Sequence, residues 1–295
     1  MRAWCRRLAG ALALFAVTGL ALAYPLKPIR LVIAATAGSA PDVIARLLAN
    51  KLTEAWGQQV VVDPRPGAIG LIGAEIVARS APDGHTIWMG TLTQLISTTL
   101  YQRYPMAKEF APIGMFAGTA FGIAIHSGLP AQTLAEFIAL AKAKPGMMYG
   151  SSGQGSSSHM CMELLMSATG IKLMHVPYKG SVGAVVDVGG GQVQATCQAL
   201  PLFPTYVKTG RIRVLGATTL KRSRIAPDVP LVADTVQGYE MLGWYGLLAP
   251  LKTPTSVIQK INTEATRIAN LPDIQDKLIA AGAEAMTSTP QEFGA

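Results

Sequence analysis

Continuous apolar runs alternate with amphipathic stretches in the first part of the chain after residue 23. Residues 29–35 (IRLVIAA) form an unbroken apolar run, which is typical of a strand covered on both faces. After a turn at 38–41, residues 42–56 carry apolar side chains at helical spacing. The next predicted elements are a strand over 59–63, a helix over 69–79 and a strand over 86–89. This alternation predicts a parallel sheet with right-handed crossovers.

The same alternation starts again further along the chain. It predicts a strand over 122–125, a helix over 134–143, a strand over 147–149 and a helix over 158–168, then further elements at 173–176, 182–188, 193–198, 212–217, 245–249, 255–269 and 274–281. Two such series predict an α/β fold of two lobes, each a mostly parallel sheet flanked by helices, with a ligand cleft between the lobes. The chain is expected to cross between the lobes near 98–101 and 218–221. Residues 24–99 and 219–295 would then form one lobe, and residues 100–218 the other.

The first residues of the chain predict export. Three arginines within the first seven residues precede an apolar stretch over 8–22, and Ala21-Leu22-Ala23 has the form of a cleavage site. We therefore expect a cleavable signal peptide over 1–23, a mature chain that begins at Tyr24, and a periplasmic protein. Removing the three arginines leaves a net charge of +8 − 3 = +5, dispersed without a basic run. Nucleic acid is therefore not an expected partner.

Two cysteines, Cys161 and Cys197, remain after the predicted signal peptide. Export would place them in an oxidising compartment, which permits a disulfide. Cys161 lies in a predicted helix and Cys197 in a predicted strand, and sequence spacing gives no distance between them. The sequence favours two buried, unpaired thiols and leaves pairing open. The four histidines are scattered without the spacing of a metal site, so neither a metal nor another cofactor is expected.

A Ser/Gly segment over 147–161, MMYGSSGQGSSSHMC, connects a predicted strand to a predicted helix. It lacks the lysine of a phosphate-binding loop, and Ser158 stands where G-x-G-x-x-G requires its last glycine. Gln154 likewise stands where the G-x-S-x-G of serine hydrolases requires its last glycine. A hydrolase built on this segment would need His159 or His175 as its base. Spacing suggests no companion carboxylate for either histidine.

Anion binding by the backbone is the chemistry that these exclusions leave. A helix N-terminus offers unpaired N–H groups and a partial positive charge, so it binds carboxylate or phosphate without a cation. Two loops, 36–42 and 150–157, lead from a strand to a helix through small and hydroxyl residues. Ser156, Ser157 and Asp42 could each be an ordinary helix cap instead. The two loops together indicate a cleft for a small anion.

Five segments, spread in order through nearly the whole mature chain, resemble Bug-type receptors, the substrate-binding proteins of tripartite tricarboxylate transporters. They read YPLKPIRLVIAATAGSAPDVIARLLANKL, VVDPRPGAIGLIGAEIVARSAPDGHTIWMG, YGSSGQGSSSHM, HVPYKGSVGAVVDVGGGQVQ and GLLAPLKTPTSVIQKIN. The resemblance implies a type II-like, two-lobed periplasmic binding protein without catalysis or cofactor. Such a protein would close on a small mono- or dicarboxylate and deliver it to a membrane permease. We expect it to be a monomer.

The resemblance also implies which residues hold the carboxylate. They are Gly38, Ser39 and Ala40 in the first strand–helix loop, Ser151, Gln154, Gly155 and Ser156 in the Ser/Gly segment, and Thr93, Tyr178 and Gln198. The family's first loop is close to PFAPGGATD, whereas this chain has IAATAGSAPD, so that Ser39 replaces a glycine. Tyr178 could equally be a core aromatic. A hydrolase that uses the Ser/Gly segment, or a sensor that presents its ligand to a membrane kinase, are the alternative functions.

Overall fold

The computed structural model describes residues 24–295, and the predicted signal peptide lies outside them. Tyr24 is already part of the fold, because its hydroxyl donates to the Gly84 carbonyl at 2.7 Å. Within the part of the chain that the structure describes, no helix is both long and apolar enough to cross a membrane.

Strands and helices alternate along most of the described chain. The strands are β1 Ile29–Ile33, β2 Val60–Pro64, β3 Thr86–Thr91, β4 Phe110–His126, β5 Met148–Ser151, β6 Met174–Pro177, β7 Ala195–Ala199, β8 Ile212–Ala217, β9 Leu242–Pro250 and β10 Glu284–Ala285. The α-helices are α1 Ala40–Trp56, α2 Leu71–Ala78, α3 Leu92–Leu100, α4 Met106–Glu109, α5 Leu134–Ala143, α6 Ser157–Thr169, α7 Ser181–Gly189, α8 Pro204–Lys208, α9 Thr255–Ala269, α10 Pro272–Ala280 and α11 Pro290–Gly294. The predicted α/β class is confirmed.

The strands form one continuous ten-stranded sheet in the order β2-β1-β3-β9-β4-β7-β5-β6, with β8 and β10 pairing to β4. The outer strands pair in parallel, β1 with β2 and β3, and β5 with β6 and β7. The central strands β4 and β9 pair antiparallel with their neighbours. Each parallel group therefore corresponds to one of the two strand–helix series seen in the sequence.

Strand β4 is shared by both halves of the sheet. Its residues up to Ala120 pair with β9, and its residues from Phe121 pair with β7 and β8. The sequence predicted only the end of this strand, because Pro112 and two glycines interrupt the apolar pattern before residue 122. The ladder with β9 accommodates them through two register shifts. The chain changes halves within β4 and again between β8 and β9, and the predicted lobe boundaries stay predictions.

Both faces of the sheet are covered, which explains the unbroken apolar run in β1. Leu31 and Ile33 pack in one buried cluster with Leu48 of α1, whereas Val32 lies in another cluster with Trp88. The second half of the sheet has two further buried clusters of its own. Successive residues of β1 therefore face two different layers of helix, and neither face can be polar.

The expectation of two unpaired thiols is wrong. Cys161 of α6 and Cys197 of β7 form a disulfide, with their Cα atoms 6.1 Å apart. Helix α6 packs directly on strand β7 in this half of the sheet, and both cysteines are fully buried there. Packing between two elements brought the pair together, and residues 36 apart in sequence give no sign of it.

Candidate functional site

A cleft of about 530 Å³ lies between the two halves of the sheet. Its polar lining residues are Ser39, Thr91, Thr93, Thr119, Ser152, Ser157, Ser181 and Gln198. Its larger apolar and aromatic lining residues are Leu92, Phe121, Val182, Pro201, Leu202, Trp244 and Tyr245. Among the described residues, no Lys, Arg, His, Asp or Glu side chain lines it. Burial raises the pKa of the Tyr245 phenol to about 12, so that this group is neutral at physiological pH.

Four helices begin at this cleft. Helix α1 begins at Ala40, α3 at Leu92, α6 at Ser157 and α7 at Ser181, and all four residues line the cavity. The helices have 17, 9, 13 and 9 residues, long enough for aligned peptide dipoles to leave partial positive charge at their N-termini. The helix ends therefore bring partial positive charge to the cleft without a lining cation, which suits an anion, although Asp42 in the first turn of α1 offsets the share of that helix.

A hydrogen bond crosses the cleft. The Thr93 hydroxyl at the start of α3 lies 3.0 Å from the Ser157 hydroxyl at the start of α6. These residues belong to different halves of the sheet and are 64 positions apart in sequence. The two halves therefore bring their hydroxyl groups to one place.

Internal hydrogen bonds determine which serines of the Ser/Gly segment face the cleft. Ser156 caps α6, because its hydroxyl accepts from the His159 amide at 3.2 Å and donates to the Gly153 carbonyl at 2.7 Å. The Ser152 amide donates to the Ser158 hydroxyl at 2.7 Å. Ser156 and Ser158 do not line the cavity, whereas Ser157 and Ser152 do, although the Ser152 hydroxyl also lies 2.8 Å from that of Ser158.

Two stacked histidines support the Ser/Gly segment from behind. The rings of His159 and His175 lie 4.0 Å apart and nearly parallel. The Gly155 amide donates to Nδ1 of His159 at 3.1 Å, so that His159 carries its proton on Nε2, which points toward Glu163 at 3.4 Å. Burial lowers the pKa of both histidines, and for His175 the neighbouring His159 lowers it further. Both rings are therefore neutral supports of the loop.

Ser151 and His175 form the kind of contact that serine hydrolases use, with Oγ and Nε2 2.6 Å apart. Ser151 is nevertheless fully buried and does not line the cleft. The carboxylate nearest this pair, Glu163, contacts His159. Because a nucleophile has to reach its substrate, this serine holds the loop and is not placed for catalysis. Within residues 24–295, no group of three or more His, Cys, Asp or Glu could hold a metal ion.

The cleft gathers four of the residues that the family resemblance implies: Ser39, Ala40, Thr93 and Gln198. Six others lie close by without lining it: Gly38, Ser151, Gln154, Gly155, Ser156 and Tyr178. The Gly38 amide donates to Asp42 at 2.9 Å, and Gln154 is exposed. The Tyr178 hydroxyl donates to Asp187 at 2.6 Å, and burial together with that carboxylate raises its pKa to about 12. Contact between any of these ten residues and a ligand stays a prediction.

The sequence did not predict several of the residues that line the cleft. Ser152 and Ser157 adjoin predicted residues, and Ser157 was considered there only as a possible helix cap. Phe121, Leu202 and Trp244 carry no local signal, since they come from the interior of β4, a helical turn after β7 and the start of β9. Only the pairing of β4 with both β7 and β9 brings them to one cavity.

Comparison with known proteins shows which family has this architecture. A family model described as "Tripartite tricarboxylate transporter family receptor" matches residues 44–294. Protein BugT of Bordetella pertussis is 31% identical over 91% of this chain and 84% of its own length. The solved structure of R. palustris Rpa4515 with adipate is 32% identical, with a TM-score of 0.77 and 91% and 92% of the two chains covered. That of periplasmic binding protein BugD is 29% identical, with a TM-score of 0.75 and 92% and 93% covered.

Proposed function

The chain belongs to the family of tripartite tricarboxylate transporter receptors, and from that premise we propose that it binds a small carboxylate in the cleft. It would do so in the periplasm and deliver the acid to the membrane permease of such a transporter. The family consists of receptors and not of enzymes, which confirms the prediction of a non-catalytic protein.

The observation that carries the proposal is the convergence of four helix N-termini on a cleft without a charged side chain. The hydroxyls of Thr93 and Ser157 share one hydrogen bond beside these helix ends, so that one of the two keeps a proton to donate, whereas the Ser39 hydroxyl already donates to the Thr36 carbonyl. A carboxylate oxygen accepts several such bonds at once, and charge-assisted bonds are stronger than neutral ones. A cation would find neither a carboxylate nor a histidine there. The adipate in Rpa4515 gives an example of an acid bound by a relative.

A receptor of this kind has to differ between its loaded and empty states. The ligand must bind one arrangement of the halves better than the other, since only differential affinity shifts such an equilibrium. The Thr93–Ser157 contact supports a closed arrangement in which both halves reach one anion. The halves that move would be those that β4 connects, since its residues up to Ala120 pair with β9 and those from Phe121 pair with β7 and β8.

Thermal unfolding in the presence of organic acids tests the proposal. Protein expressed from the full 295-residue sequence would be screened with aliphatic, aromatic and hydroxy acids. An acid at a hundredfold excess over its Kd should stabilise the fold by about 2.7 kcal/mol. The methyl ester of the same acid is the matched control and should give no shift, because it lacks the charge. If saturating concentrations of every acid leave the unfolding temperature unchanged, the carboxylate site is refuted.

A further inference from the structure

The cleft is chemically different at its two ends. At one end, helix N-termini and hydroxyls converge where Thr93 meets Ser157. Another part of the lining is formed by Phe121, Pro201, Leu202, Trp244 and Ala281 around Thr119, with Gln198 one position from the Phe121–Ala199 pair. This second set is called the apolar end below.

Close packing ties the apolar end together. A Cβ added at Gly243 would lie 2.6 Å from the Phe121 ring and 2.7 Å from the Thr119 methyl group. A Cβ added at Gly282 would lie within contact of the Pro201 ring. The Thr119 hydroxyl donates to the Gly282 carbonyl at 2.8 Å, and the Gly282 amide donates to the Ile279 carbonyl at 2.9 Å. The polar groups around Thr119 are therefore already paired with one another.

We propose that this cleft selects acids with one carboxylate and an apolar body over acids with a carboxylate at each end. The inference rests on the proposed function and names its substrate class. One carboxylate at the helix N-termini is well satisfied by amides and hydroxyls. A second one at the apolar end would lose its hydration with no cation to replace it, which is strongly unfavourable. A hydrocarbon chain or ring there gains from burial against Phe121 and Leu202.

Hexanoate and adipate form the matched pair that tests the inference, since both have six carbons in line and differ by one carboxylate. Calorimetric titration of protein purified from expression of the full chain should give hexanoate an affinity at least about tenfold higher than adipate. Equal or tighter binding of adipate overturns the selectivity and leaves the carboxylate receptor standing. Binding of malate or citrate with no binding of hexanoate does the same. If no acid binds, the receptor proposal itself has failed.

A cation placed at the apolar end should reverse the preference. Leu202 is half-buried and lines the cleft, so that the ammonium group of Leu202→Lys can reach the cavity while its stem covers apolar surface. We expect the ratio of adipate to hexanoate affinity to rise by about tenfold or more. Leu251→Lys is the control, because Leu251 is 51% exposed and lies outside the cleft. A folded Leu202→Lys protein with an unchanged ratio contradicts the placement of the apolar end.

Discussion

Removing the Cys161–Cys197 disulfide should destabilise the protein by a calculable amount. The cysteines are 36 positions apart, and the loop-closure relation gives about 3.8 kcal/mol at 25 °C for a loop of that length. The loop contains most of α6, all of β6 and α7, and with them Ser181 at the cleft. Reduction therefore raises the conformational entropy of this segment in the unfolded chain, and the segment supplies one wall of the site.

Urea unfolding followed by far-ultraviolet circular dichroism, with and without reductant, measures the effect. With a denaturant slope of about 3 kcal/mol per M, the midpoint should fall by about 1 M on reduction. The double variant Cys161→Ala with Cys197→Ala is the control, and its midpoint should not respond to reductant. Alanine is the suitable replacement because both sites are fully buried and alanine places no polar group there.

Thiol titration of the unreduced protein in denaturant decides whether the bond exists. It should find two thiols fewer than the cysteines present in the purified chain. The disulfide is refuted if every cysteine of the unreduced protein titrates as a free thiol. It is also refuted if reductant leaves the urea midpoint of the native sequence unchanged.

Three further outcomes follow from the same half of the molecule. Ser156→Ala should lower the free energy of unfolding by about 1 kcal/mol through loss of the α6 cap, with little change in acid affinity measured by calorimetry. Ser157→Phe should act mainly on binding, because its ring fills the cleft and weakens acid affinity by about tenfold or more, while loss of the Thr93 contact lowers the free energy of unfolding by about 1 kcal/mol. Because the folded pKa values of His159 and His175 lie below the ordinary 6.5, stability should be full above that pH and fall as pH decreases. Each histidine changes the free energy of unfolding by at most about 1.4 kcal/mol per pH unit. Urea midpoints measured between pH 7.5 and 5 give the sum of the two contributions. The variant His175→Gln should show a smaller dependence of the midpoint on pH.

The sequence by itself determined the order of elements and the chemistry of the strand–helix loops. The predicted helices over 134–143 and 255–269 agree with α5 and α9 residue for residue. Apolar spacing and capping residues act over one or two turns of chain, so that these elements and the small hydroxyl loops can be read directly. The resemblance to a receptor family was equally a property of local segments, and the family match confirms it.

The tertiary structure decided how those elements meet. It made β4 one strand shared by both halves, paired Cys161 with Cys197, and turned Ser157 to the cleft while Ser156 caps a helix. It also assembled an apolar end from residues as distant as Phe121 and Trp244. Pairing and packing depend on which surfaces fit across the whole fold, and a local pattern carries no record of its distant partner. For that physical reason the sequence indicated an anion cleft, and only the assembled sheet gave the cleft two chemically different ends.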